Sequence, residues 1–152
     1  MSLKGKGDLI VHNRKAGFEY FLEETFSAGI MLTGSEVKSL RMGKGNIQEA
    51  YVYVSNDEVF LQGMNIPIYE NGAYANHDPV RERKLLLKKK EIRRLQKGTE
   101  VQGNTIVPVK MYFSDRNMVK VDIALAKGKK LYDKRETIKG RDIQREMDRH
   151  LR

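Results

Sequence analysis

Strand-forming runs recur in pairs along this chain, and apolar and polar positions alternate in the second pair, residues 105–113 and 118–126. Tyr51-Val52-Tyr53-Val54-Ser55 and Val59-Phe60-Leu61-Gln62-Gly63-Met64 flank Asn56-Asp57-Glu58. Residues 105–113 and 118–126 flank Ser114-Asp115-Arg116-Asn117 in the same way. Strand-forming runs joined by short polar turns predict two hairpins. Two further strands are predicted over 18–24 and 29–32, with Ser27-Ala28-Gly29 as a bend between them. Before them, residues 1–17 are rich in Gly and Lys and read as loosely held, apart from a short apolar element at Leu9-Ile10-Val11.

The period changes to helical in two places. Thr33 and Glu36 have capping-box spacing, Val37 and Leu40 share a face and Gly43 can terminate the turn, so a short helix is predicted over 33–43. Lys38 and Arg41 lie at i, i+3 on the adjoining face. The run from Lys84 to Lys97 has neither Gly nor Pro, and its apolar residues Leu85, Leu87, Ile92 and Leu95 fall near helical spacing. It reads as a second helix with one apolar stripe and a basic remainder. Beyond Lys127-Gly128 the apolar content thins to Ile143, Met147 and Leu151 among charges. A stripe this narrow predicts a tail that is disordered when free and helical when bound.

Hairpins interrupted by one helix suggest a mainly β chain with helices, of α+β type. The expected form is an oligonucleotide-binding-like antiparallel β-barrel of about six strands with two to three helices, closed so that few edges are exposed. The expected division is a barrel domain over 1–128 and a basic tail over 129–152.

Charge sharpens this picture. The 152 residues carry 29 Lys+Arg against 20 Asp+Glu, a net charge of +9. Residues 81–97 alone hold nine basic and two acidic side chains, and residues 127–152 hold ten and five, so these segments contribute +12 and the remainder −3. Two localised positive fields on a slightly acidic body favour a polyanionic partner over solvated surface alone. A membrane surface fits less well, because neither segment has a bulky apolar face.

Catalytic chemistry finds little support. There is no cysteine and there are three histidines, which disfavours thiolate chemistry and a multi-histidine metal site. No phosphate-cradling glycine loop is present. Glu23 and Glu24 are neighbours in a predicted strand, where side chains point to opposite faces. His77, in Asn76-His77-Asp78-Pro79, fits turn chemistry better than a general base. The expectation is a cofactor-free, non-enzymatic and cytoplasmic monomer that binds RNA or DNA. Glu36 is ambiguous: its carboxylate could cap the helix or accept hydrogen bonds from bases or 2′-hydroxyls.

The segment Ala28-Gly29-Ile30-Met31-Leu32-Thr33-Gly34-Ser35-Glu36-Val37-Lys38-Ser39-Leu40-Arg41 closely resembles the signature of the SsrA-binding protein (small protein B) family. Three more segments match that family in order: residues 76–87 (NHDPVRERKLLL), 107–113 (VPVKMYF) and 124–135 (ALAKGKKLYDKR). The resemblance implies an RNA-binding barrel that recognises the tRNA-like domain of transfer-messenger RNA. It delivers that RNA to stalled ribosomes, where the nascent peptide is tagged for degradation. It further implies RNA-facing roles for Glu36, Lys38, Arg41, Arg81, Arg83 and Lys84. Lys129, Lys130, Tyr132, Asp133, Lys134 and Arg135 match the tail element used in the decoding centre and message channel, and elongation factor Tu would be met through the RNA complex. Tyr132 stands where many relatives have His, which keeps stacking and removes a titrating ring. The alternative is a general single-stranded nucleic-acid binder on the same barrel.

Overall fold

The computed structural model describes residues 3–69 and 76–129. Its elements, in chain order, are β1 (Leu9–His12), α1 (Arg14–Glu19), β2 (Tyr20–Ile30), α2 (Gly34–Arg41), β3 (Tyr51–Ser55), β4 (Glu58–Gln62), β5 (Arg83–Leu86), α3 (Lys89–Glu100), β6 (Asn104–Phe113) and β7 (Val119–Gly128). All strand pairings are antiparallel. The order β6-β3-β4-β5-β2-β7 closes on itself through β6–β7, giving a six-stranded ring, and β1 pairs with β6 along the same edge as β3. Closure removes the exposed edges that an open sheet of this size would carry. The two seams are the shortest pairings: Val52 faces Ile106 where β3 meets β6, and only Gly29–Leu86 and Ile30–Leu85 join β2 to β5.

Both predicted hairpins form. In the first, Asn56 and Asp57 adopt φ of 51° and 60°, the left-handed pair a tight two-residue turn needs. Inward positions of the ring, including Val52, Val59, Leu61, Leu85, Ile106, Met111, Val121 and Ile123, meet in one core with Leu40 of α2 and Leu95 of α3. Gly98 explains how α3 lies so close to the barrel. A Cβ there would stand 2.6–2.7 Å from both terminal methyls of Leu125.

Four expectations are corrected. Residues 83–86 form a strand rather than the start of a long helix, because Leu61, Phe60 and Val59 of β4 pair with Arg83, Lys84 and Leu85. The helix begins only at Lys89. Residues 18–24 do not form one strand, since α1 runs to Glu19 with Ala16 packed beside Val107 of β6. β2 then continues unbroken through Ser27-Ala28-Gly29, because β7 pairs with each of these residues. Finally, the expected element at Leu9-Ile10-Val11 forms as β1, but the chain on either side of it is tied down as well: the Gly7 N–H donates to the Phe113 carbonyl at 2.9 Å, and the Asn13 side chain to the Pro108 carbonyl at 3.0 Å. No helix among the described residues is long and apolar enough to cross a membrane.

Candidate nucleic-acid interface

The signature helix α2 is fastened to the barrel by an ionic cluster. Its first turn places Glu36 three residues after Thr33, and Glu36 Oε1 accepts the Thr33 backbone N–H at 2.8 Å. The same carboxylate accepts Arg81 Nη2 at 2.6 Å and Arg81 Nε at 3.1 Å, and it also accepts Arg83 Nε. Glu36 and Arg83 are both fully buried, while Arg81 is about one-third exposed. Arg83 directs its remaining donors to the carbonyls of Met64, Asp78, Pro79 and Arg81. One guanidinium thereby joins α2, the end of β4 and the approach to β5, with every N–H used. Burial alone would raise the Glu36 pKa. Arg81, the Thr33 N–H and Arg83 outweigh it and hold the carboxyl below its ordinary value. Burial lowers the Arg83 pKa, and the carboxylate opposes that shift.

These positions divide the residues that the resemblance implies between surface and interior. Glu36 satisfies its capping reading, and neither it nor Arg83 reaches the molecular surface, so direct contact with a large partner would require the cluster to open. The strand alternation that points Arg83 inward turns Lys84 outward, where it meets Glu58 at 3.2 Å. Lys38 is exposed, with its ammonium over the Tyr69 ring at 5.6 Å. Arg41 stacks over Phe113 at 5.0 Å and reaches Asn117 Oδ1 at 3.4 Å. Thus Lys38, Arg41 and part of Arg81 form the accessible basic surface around α2, whereas Lys84 lies apart on the outside of β5.

His77 is buried between elements: Nε2 donates to the Ile66 carbonyl at 2.7 Å, and Nδ1 lies 2.9 Å from Ser35 Oγ. It links the first turn of α2 to the loop after β4, as the structural reading expects. Lys129, assigned to the tail, is held to the body: its N–H donates to the Glu19 carbonyl at 2.8 Å and its ammonium to the Gly17 carbonyl at 3.1 Å. Lys130, Tyr132, Asp133, Lys134 and Arg135 lie outside the described residues, as does the Ile143/Met147/Leu151 stripe.

The basic remainder expected of the second helix lies on α3, which holds none of the RNA-facing residues that the resemblance implies. Lys88, Lys89, Lys90, Arg93 and Lys97 are exposed there, while Ile92 and Leu95 face the core and Arg94 pairs with Glu24 at 2.9 Å. Its signal was the charge density of residues 81–97.

A closed antiparallel barrel with its helices outside and basic side chains around two of them defines an oligonucleotide-binding-like protein. The family model described as SmpB protein matches residues 10–152. The chain belongs to the SmpB family. It is 52% identical to the SsrA-binding protein of Thermosipho melanesiensis, over 95% of this chain and 98% of that one. Identity to the SsrA-binding protein of Rhizorhabdus wittichii is 50%, over 97% and 92%. A solved chain from work described as "tmRNA-SmpB: a journey to the center of the bacterial ribosome" superposes with a TM-score of 0.69 at 45% identity, covering 84% of this chain and 93% of that one.

Proposed function

We propose that this chain is the protein partner of transfer-messenger RNA in trans-translation. It binds the tRNA-like domain, brings the RNA to ribosomes stalled without a stop codon and supports tagging of the nascent peptide. The observation that carries this reading is its family membership over nearly the full chain, together with its likeness to a structure described as tmRNA-SmpB in the bacterial ribosome. In this reading Lys38, Arg41, Arg81 and Lys84 contact phosphates. Glu36 and Arg83 act beneath that surface by holding α2 and Arg81 in place. The barrel with Lys129 recognises the RNA, and the tail beyond it, with Lys130, Tyr132, Asp133, Lys134 and Arg135, works in the decoding centre and message channel. Elongation factor Tu is met through the RNA complex, and the work is done in the cytoplasm without chemical catalysis.

The test is a binding titration at two salt concentrations, with the tRNA-like domain against an unrelated structured RNA of equal length. A preference that persists at higher salt is expected, because shape recognition adds to phosphate neutralisation. Equal affinities that collapse together would refute the proposal and identify a general nucleic-acid binder.

A further inference from the structure

A groove of about 480 Å³ opens at the end of the barrel beside α2. Its walls are Ile30, Leu32, Val37, Leu86 and Met118, with Gly29 contributing no side chain between them. Leu86 is 51% exposed and Met118 62% exposed, which leaves large apolar surface in water without an internal use. The turn bearing Met118 is nevertheless well built: the Ser114 N–H donates to the Met118 carbonyl at 2.8 Å, the Asn117 N–H to the Ser114 carbonyl at 2.9 Å, and Arg41 reaches Asn117 from α2. Arg116 and Lys120 line the same groove. Among the described residues neither forms an ion pair, and no acidic side chain lines the groove.

Apolar walls with uncompensated cations beside them suit a ligand that is flat and apolar at its centre and anionic at its edge. We infer that this groove receives one unstacked nucleobase of a bound RNA, with the adjoining phosphates against Arg116 and Lys120. The inference rests on the RNA-binding reading above and adds a subsite to it. Flexible Met and Leu side chains can close on both faces of a base, and the thioether favours contact with an aromatic ring. RNA recognition selects loops and ends whose bases are already unstacked, so little pairing energy is lost on insertion. The cations beside this apolar surface favour a nucleotide over an apolar protein anchor.

The experiment uses the full chain with ¹³C-methyl-labelled methionines. The probes are the tRNA-like domain of transfer-messenger RNA and a blunt RNA duplex without unpaired bases. With the tRNA-like domain, the Met118 methyl, assigned by its loss in Met118→Ala, should show an upfield ring-current shift. The blunt duplex should leave it in place. Met118→Ala should weaken binding to the tRNA-like domain by about 5-fold or more, the lower end for losing one base-stacking contact, with the salt dependence unchanged. Arg116→Gln and Lys120→Gln should each instead reduce the slope of log affinity against log salt by about one. A Met118 methyl that stays in place while the tRNA-like domain is bound with preference overturns the groove and leaves the proposed function intact. A methyl shift with the tRNA-like domain, but no preference over the unrelated RNA, defeats the proposed function and supports the groove. Equal shifts with both probes, or shifts produced by protein concentration alone, overturn base insertion in favour of backbone contact or self-association.

Discussion

Replacing Glu36 by Ala tests whether the signature carboxylate acts on RNA or on the fold. The change deletes an acceptor of four hydrogen bonds, from the Thr33 N–H, from Arg81 twice and from Arg83. Arg83 keeps its carbonyl partners but becomes a fully buried cation without a counter-ion. Removing one partner of a buried pair costs about 3–5 kcal/mol. For a domain of this size each kcal/mol shifts Tm by roughly 2–4 °C, so the expected fall is about 6–20 °C. Thermal melting by circular dichroism measures it, beside Lys38→Ala, whose exposed side chain should move stability by no more than about 0.5 kcal/mol. A Tm unchanged within 2 °C or so, combined with lost RNA affinity, would show that Glu36 contacts RNA directly and that the cluster is incidental. The pH profile gives an independent check. The carboxyl titrates lower in the folded than in the unfolded chain, so its contribution is present above its ordinary value of 4.5 and is lost as pH falls through the depressed folded value. The stability gap between the wild type and Glu36→Gln should therefore be widest near neutrality and shrink below pH 4.5.

Gly63→Ala should destabilise the protein by more than about 1 kcal/mol, since φ is +83° and the new Cβ would stand 2.9 Å from the Glu49 carbonyl oxygen; urea unfolding reads the loss, and an unchanged midpoint would contradict it. A chain ended after Lys129 should bind the tRNA-like domain within about 3-fold of the full chain, because it keeps the basic residues of 81–97, yet should not support tagging in a reconstituted translation assay. Tagging by that shortened chain would show the tail to be dispensable. Arg83→Lys should lower Tm, because an ammonium has three donors where five are used and no fork to span Glu36 and the carbonyls; a wild-type Tm for this variant would show that the guanidinium does not join α2 to the barrel.

Local chemistry was legible in the sequence. Asn56-Asp57 between β-rich runs specified a hairpin, and Thr33 with Glu36 specified the start of α2, because turns and caps are set by residues a few positions apart. The charge partition was legible too, since composition does not depend on packing. Residues 83–86 were not. In isolation Arg-Lys-Leu-Leu suits a helix face as well as a strand, and only β4 on one side and β2 on the other decide in favour of the strand.

The candidate site divided along the same line. Sequence alone determined that a basic protein of the SmpB family carries Glu36, Lys38, Arg41, Arg81, Arg83 and Lys84 in its matching segments. Only the tertiary structure decided that Glu36 and Arg83 are buried partners 47 residues apart, while Lys38 and Arg41 remain outside. Ring closure is the cause: it puts β5 beside the start of α2, and strand alternation turns Arg83 inward and Lys84 outward. Which way a side chain points across a closed sheet is fixed by register with distant strands, and the neighbouring residues carry no record of it.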